Sequence, residues 1–265
     1  MASTATPWME SVDAKVGRAH QHLSDLTKGL ILLGRTHRPE LVLKSDAQSV
    51  WLVVYFKEPY AALSHSTVFG DFLYNLRSSL DALIHALIRK SGGTPHWNTC
   101  FPVYAKPASY EKNTKKGAKG DVLAGLPDDA RLLVKQLQPF MRGSQNADLD
   151  PLHLLNLMCN EDKHQAVHIM LGYAKAVRFA LHLGNGRIVR FESDGPLVGH
   201  GPWQVPIPMP VDQVESDHRI EVAGSSDFLI RSDASWQGRS VLDLAHTLLG
   251  YVEDKVIAVF RPLFG

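Results

Sequence analysis

The segment FLYNLRSSLDALIHALI, residues 72–88, is apolar on nearly every side and carries one row of polar residues. Arg77, Asp81 and His85 form this row at every fourth position. Residues at i, i+4 and i+8 advance only about 40° per step around a helix, so these side chains share one narrow strip. Since the rest of the segment is apolar, we predict a buried helix.

The segment LHLLNLMCNEDKHQAVHIML, residues 152–171, has the same design. Its polar residues at every fourth position are Asn156, Asn160, His164 and His168. Asp150 and Pro151 precede it and are typical of an N-cap and a first helical turn. Because one unpaired member of a buried ion pair costs roughly 3 to 5 kcal/mol, we expect the two polar rows to face each other or a shared cleft.

Hydrophobic periodicity predicts the elements around these two helices. An amphipathic helix is expected from Pro7 to about Leu33, and two short strands are expected between Glu40 and Phe56. After Gly172 the apolar period changes from 3.6 to 2, which predicts antiparallel strands with a hairpin turn at Gly184-Asn185-Gly186. Ser240 is predicted to cap a last helix that reaches about Phe260.

Together these elements predict an α+β fold: mainly a helical bundle of about four long helices, with a small antiparallel β-sheet inserted before the C-terminal helix. We expect a single domain over residues 1–265. Its helical core would comprise about residues 8–170 and 238–262, and its β-rich insert about residues 173–233.

Composition narrows the classes of function. The formal net charge is +1, so any binding to nucleic acid or membrane has to come from a local patch. With only Cys100 and Cys159, a disulfide framework is not expected. The longest apolar run, Val50 to Phe56, is too short to span a bilayer, and the N-terminal residues lack a secretory signal. We therefore expect a cytoplasmic protein with no membrane partner.

A lysine-rich segment lies between the two helices with polar rows. Its lysines are Lys106, Lys112, Lys115, Lys116 and Lys119, and Glu111 is the one opposing charge. Because Gly, Asn and Thr separate them, we predict a mobile basic loop. Such a loop can bind a phosphate backbone through charge, with Lys115 and Lys116 as candidate substrate-binding residues. The alternative is a solvated surface loop.

The polar rows also carry groups suited to phosphoryl chemistry without a metal. Arg77 and Lys163 supply the fixed positive charge that a phosphodiester transition state requires. His164 is the candidate acid/base, and Asp81 would orient Lys163 or this histidine. Further candidates for substrate binding are Asn75 and Asn160.

Two other interpretations remain open. Carboxylates and imidazoles at helical spacing are typical of iron sites in helical bundles, and the ligands here would be Asp81, Glu161, His164 and His168. Lys163 lies beside these residues and would repel a cation. The third interpretation is structural: Arg77, Asp81 and Lys163 pair with one another and only fix the packing of the helices.

Three stretches resemble an uncharacterised family of bacterial proteins: GDFLYNLRSSLD at residues 70–81, FPV at 101–103 and NEDKHQAVH at 160–168. That family pairs an NLRSALDHL helix with an N-x-x-KHR-x-x-H helix, with a Phe-Pro element between them. The family's His after the Asp is Ala82 here, and its Arg after Lys-His is Gln165. The positions that the resemblance supports are Asn75, Arg77, Asp81, Asn160, Lys163 and His164.

A looser, fold-level likeness is to HEPN-type helical bundles, which include metal-independent ribonucleases. Their signature is an Arg followed, after four to six residues, by a His. Arg239 and His246 have this spacing, whereas Arg77 and His85 are further apart.

The leading hypothesis is a HEPN-like, metal-independent ribonuclease or a nucleotide- or phosphate-binding protein, with RNA or a nucleotide as partner and no cofactor. One alternative is an iron-dependent helical-bundle oxidase. Another is a non-catalytic interaction protein that recruits a partner through the predicted strands of residues 175–232. A homodimer is also left open.

Overall fold

The computed structural model describes residues 8–36, 39–55, 63–143, 146–164, 168–173, 175–195, 197, 202–214, 217–223, 227–231 and 238–265. The chain divides into two compact units. Unit 1 comprises Met1–Asp25, Thr67–Ala166 and Leu244–Gly265, and unit 2 comprises Leu26–Ser66 and Val167–Asp243. Pro7 and Phe56, at which predicted elements begin or end, lie outside the described residues.

The described residues form seven α-helices, three of which have residues in both units. Their bounds in chain order are α1 Glu10–Thr36, α2 Leu63–Lys90, α3 Pro107–Thr114, α4 Asp128–Gln136, α5 Pro151–His164, α6 Val241–Gly250 and α7 Ala258–Phe260. A π-helical stretch, Tyr251–Ile257, joins the last two, and short 3₁₀ turns occupy Pro139–Arg142, Ala147–Leu149, Val211–Gln213 and Arg261–Phe264. Each helix within the described ranges is too short or too polar to span a lipid bilayer.

The helix α2 is buried, as the sequence predicts. Phe69, Phe72, Leu76 and Leu80 are fully buried, and each large apolar side chain removed from water contributes roughly 1.5–3 kcal/mol. The helix ends just before Ser91-Gly92-Gly93, where the Gly93 N–H donates to the Ile88 carbonyl at 2.9 Å. The polar row therefore lies on a helix that is held in place by its apolar sides.

The helix α5 begins as predicted but ends earlier. Asp150 caps it, because its Oδ1 accepts a hydrogen bond from the Leu152 N–H at 2.9 Å. The helix ends at His164, and His168 already belongs to a strand, so the prediction of one helix through residue 171 is wrong. The reason is strand pairing: Ile169 and its neighbours pair with the strand Asp227–Arg231, which satisfies their backbone groups.

The predicted fold class is also wrong, because the described residues form three antiparallel sheets instead of one sheet inserted in a four-helix bundle. The strands are β1 Glu40–Ser45, β2 Val50–Tyr55, β3 His168–Gly172, β4 Arg178–Leu183, β5 Ile188–Glu192, β6 Trp203–Ile207, β7 His218–Ala223 and β8 Asp227–Arg231. Sheet 1 has the order β1-β2-β6, sheet 2 pairs β3 with β8, and sheet 3 has the order β5-β4-β7. The architecture is mixed α/β.

Long-range strand pairing explains this difference. The early hairpin β1-β2 takes a third strand from far along the chain, with Leu52 opposite Val205. Leu52 and Val205 then bury their side chains in one apolar core together with Phe179 and Leu181 of sheet 3. Apolar periodicity reports only the local conformation of each segment, so the sequence predicts the strands of unit 2 but not which of them pair.

Candidate functional site

A cleft of about 510 Å³ in unit 1 lies beside the polar row of α2. One wall is made by the start of α1 and the residues before it, including Trp8, Glu10 and Lys15. The α2 wall includes Ser78, Asp81, His85 and Arg89. These four side chains lie three or four residues apart, so one face of α2 presents all of them to the same space.

The cleft contains two cationic side chains that the sequence did not single out. Lys15 lies on α1, and its Nζ donates a hydrogen bond to Ser78 Oγ at 3.2 Å. Arg89 is exposed in the last turn of α2. Trp8, which is 42% exposed, lines the same cleft and offers an aromatic face. Cations beside an exposed aromatic ring can bind the phosphate and the base of a nucleotide.

Arg77 lies behind this cleft and holds Asp81 in position. Its Nη1 donates to Asp81 Oδ1 at 2.6 Å, and its Nη2 donates to the Phe101 carbonyl at 2.8 Å. Its Nε donates to Asn156 Oδ1 on α5 at 3.4 Å. Asp81 Oδ1 also accepts the Phe101 N–H at 2.8 Å. The two polar rows therefore meet at Arg77 and Asn156, and all three nitrogens of the Arg77 guanidinium are already engaged.

The tautomer of His85 follows from its one hydrogen-bond partner. His85 Nε2 lies 3.1 Å from the Thr99 carbonyl oxygen. A carbonyl has no proton to donate, so Nε2 must carry the hydrogen and Nδ1 is the basic atom of the neutral ring. A histidine held in this way can accept a proton from a bound ligand.

The structure places the other predicted catalytic residues at the end of α5. Lys163 is exposed in its last turn, and His164 is its last residue. The side chains of His164 and His168 lie outside the described residues. Their predicted role beside Arg77 and Asp81 stays a prediction.

The predicted substrate-binding residues are spread over unit 1. Asn75 Nδ2 donates to the Asp71 carbonyl at 2.8 Å, so it is engaged in its own helix. Asn160 and Lys115 are exposed. Lys116 is exposed as well and pairs with Asp128 at 2.6 Å. None of the four lines the cleft described above.

The lysine-rich segment is folded, where the sequence predicts a mobile loop. It begins with α3 and is fixed by Arg131, whose Nη2 contacts the buried Asp121 at 2.6 Å. Arg131 also donates to the Thr114 carbonyl at 3.1 Å and to the Leu123 carbonyl. The segment is folded because the part-buried guanidinium of Arg131 binds several of its carbonyls. The spacing of the lysines does not reveal these contacts.

The two cysteines beside the Arg77 network are poor nucleophiles. Burial raises the pKa of Cys159 to about 12. Burial also raises the pKa of Cys100, with a smaller contribution from the charge of Asp81. Since the thiolate is the reactive form, neither thiol is activated at neutral pH.

The spacing of residues in α2 indicates part of the cleft. Arg89 continues the row of Arg77, Asp81 and His85 by one more step of four, and Ser78 follows Arg77 directly. Lys15 and Trp8 gave no such signal, because their place in the cleft depends on how α1 packs on α2.

Among the described residues there is no group of three or more His, Cys, Asp or Glu side chains placed to hold a metal ion. The proposed iron ligands His164 and His168 have side chains outside that description, so the iron interpretation stays a prediction. Comparisons with protein-family models, curated proteins and solved structures found no match.

Proposed function

We propose that the cleft between α1 and α2 binds a nucleotide and supports metal-independent cleavage of RNA. The observation that carries this proposal is that the cleft gathers two cations, a histidine and an exposed indole. Lys15 and Arg89 bind the phosphate, Trp8 stacks on the base and His85 accepts the proton. In this proposal the phosphate binds to Lys15 and Arg89, whereas the sequence predicts Arg77 and Lys163 for that role.

The charge of the cleft fits one phosphate group. Asp81 and Glu10 are the acidic residues that line it, and Arg77 offsets the charge of Asp81. The remaining charges are those of Lys15, Arg89 and Glu10, so the net charge of the cleft is about +1. Glu10 can also accept hydrogen bonds from the hydroxyls of a ribose.

The reaction needs one base and fixed positive charge. His85 Nδ1 takes the proton from the ribose 2′-hydroxyl, and the 2′-oxygen forms a bond to phosphorus as the bond to the 5′-oxygen breaks. The leaving 5′-oxygen takes a proton from solvent. The products are a 2′,3′-cyclic phosphate and a 5′-hydroxyl, and Lys15 and Arg89 stabilise the extra negative charge of the transition state.

Cleavage of a short single-stranded RNA in the presence of EDTA tests the catalytic part of this proposal. We expect the wild-type protein to release cyclic-phosphate ends, and His85→Ala to reduce the rate by about 100-fold or more. The control is His96→Ala, which removes an exposed histidine bonded to Asn98 and should leave the rate unchanged. Equal rates for wild type and His85→Ala, or a rate abolished by EDTA, would contradict it.

A further inference from the structure

The outer face of sheet 3, in unit 2, carries alternating charges around small side chains. Successive residues of a strand point to opposite sides, so residues paired across the strands share a face. Across β5, β4 and β7, Glu192, Arg178 and Ala223 form one row. Arg190, Ala180 and Glu221 form the next row. The opposite face buries Phe179, Leu181 and Phe191 in the core.

A cleft of about 550 Å³ lies on this sheet. Ala180 and Ala223 are the small residues on its charged face, and the long side chains of Arg178 and Arg190 rise beside them. Phe179, Phe191 and Val222 also border it, but their side chains pack into the core on the opposite face, so Ala180 and Ala223 provide the apolar surface of the charged face. Its volume is within the range of small-molecule sites, roughly 300–1,000 Å³.

Both carboxylates in this cleft are already paired. Glu192 pairs with Arg178 at 3.6 Å. Glu221 contacts His182 at 3.0 Å and also pairs with Arg219. The close contact with His182, followed by the charge of Arg219, lowers the pKa of Glu221, so it stays ionised at neutral pH.

Arg190 is the other charged residue in the row that it forms with Ala180 and Glu221. In the part of the chain that the structure describes, no side chain forms an ion pair or hydrogen bond with its guanidinium. The side chain of Arg178 is 80% exposed, and its Nε lies 3.6 Å from Glu192 Oε2. Its guanidinium can therefore turn toward the same space. A guanidinium binds a carboxylate through two parallel hydrogen bonds, which makes an unpaired arginine in a cleft a natural partner for one.

We propose that this cleft binds a small organic carboxylate with an apolar body. The carboxylate accepts hydrogen bonds from Arg190, with Arg178 as a second donor, and the apolar body lies over Ala180 and Ala223. Glu192 and Glu221 would repel a chain of phosphates, so the balance of charge favours a single negative group over a nucleic acid. This site is separate from the nucleotide cleft of unit 1 and does not depend on it.

Isothermal titration of the full chain with indole-3-acetate tests this site. We expect saturable binding by the wild-type protein and a loss of affinity of about 10- to 100-fold in Arg190→Ala, because a charge-assisted hydrogen bond is lost. Tryptamine, which has the same ring and the opposite charge, should not bind. The matched control is Arg187→Ala, an arginine just before β5 that bonds to Gln213 instead and should keep wild-type affinity.

Three results would overturn the proposal: no saturable binding of indole-3-acetate to the wild type, equal affinity in Arg190→Ala, or equal binding of tryptamine. Binding of a short RNA that is lost in Arg190→Ala but kept in Lys15→Ala would also overturn it, and would assign the face to nucleic acid. Thermal melting of Arg190→Ala, expected within a few degrees of wild type for an exposed position, separates a lost contact from a lost fold.

Discussion

The sequence marks Arg77 as a candidate catalytic residue, but its contacts in the structure hold neighbouring groups in place. It joins Asp81, the carbonyl of Phe101 and Asn156, so it ties α2 to α5 and to the segment before α3. Thr99, in that same segment, fixes the tautomer of His85. Arg77 is thus a positioning residue: it orients groups at the cleft without lining the cleft itself.

Replacing Arg77 with Ala should lower the free energy of unfolding by about 2 kcal/mol, because the part-buried Asp81 and the Phe101 carbonyl lose a charged donor. Urea denaturation measures this change. Arg18→Ala, which removes an exposed arginine bonded within its own helix, should change stability by less than about 0.5 kcal/mol. Equal effects of the two variants would contradict the role of Arg77 as a fixed connection.

Asp150 gives the molecule a specific dependence on pH. Burial raises the pKa of this carboxyl above its ordinary value, although Arg142 and the N-cap hydrogen bonds oppose the shift. A raised pKa means that the folded protein binds the proton more tightly than the unfolded chain does. The stabilisation from Asp150 is therefore present in acid, below the unfolded pKa of about 4, and is lost as the pH rises through the folded pKa.

The variant Asp150→Asn keeps an oxygen to cap α5 but cannot ionise. The free energy of unfolding of the wild type, minus that of this variant, should fall as the pH rises from about 3 to 6. Urea denaturation at a series of pH values measures the difference. A difference that rises with pH would mean that Arg142 stabilises the carboxylate more than burial disfavours it.

Between elements, Gly70 of α2 packs against the Asp162 carboxylate of α5. An added Cβ at this position would lie 2.5 Å from Asp162 Oδ2, closer than atoms of this kind can come. Gly17, in the middle of α1, would meet nothing within 4 Å. Both glycines lie inside helices, so replacement by alanine gives the same gain in helix propensity at each position. The two positions differ only in what the new methyl group would contact.

Gly17→Ala should therefore stabilise the protein by up to about 1 kcal/mol, because alanine favours a helix. Gly70→Ala should be less stable than Gly17→Ala by at least about 1 kcal/mol, since the new methyl group displaces the Asp162 side chain. Thermal melting compares the two, and the double variant Gly70→Ala with Asp162→Ala should recover most of the loss. No difference between the single variants would show that the helices are not in close contact there.

Across the full chain, the sequence predicted the local elements better than their arrangement. The buried helix α2, the cap at Asp150 and the hairpin turn after Leu183 follow from apolar spacing and turn residues, and the structure contains all three. Each depends on neighbours within a few residues along the chain.

What the sequence could not predict depends on contacts between distant segments. The strand β6 completes the sheet begun by β1 and β2, and Arg131 orders the lysine-rich segment. The cleft has the same origin: the row from Arg77 to Arg89 is visible in the sequence, but Lys15 joins it only because α1 packs on α2. Periodicity carries no information on which surfaces meet.

Nucleotide binding in the unit 1 cleft is tested most directly by isothermal titration with adenosine 5′-monophosphate. The wild-type protein should bind, and the double variant Lys15→Ala with Arg89→Ala should lose affinity by at least about 10-fold, because it lacks both cations that we propose to bind the phosphate. The charge-matched control is Arg18→Ala with Lys119→Ala, two exposed residues outside the cleft, which should bind as the wild type does. Equal affinity for the nucleotide in the two double variants, or no binding by the wild type, would contradict the assignment of this cleft.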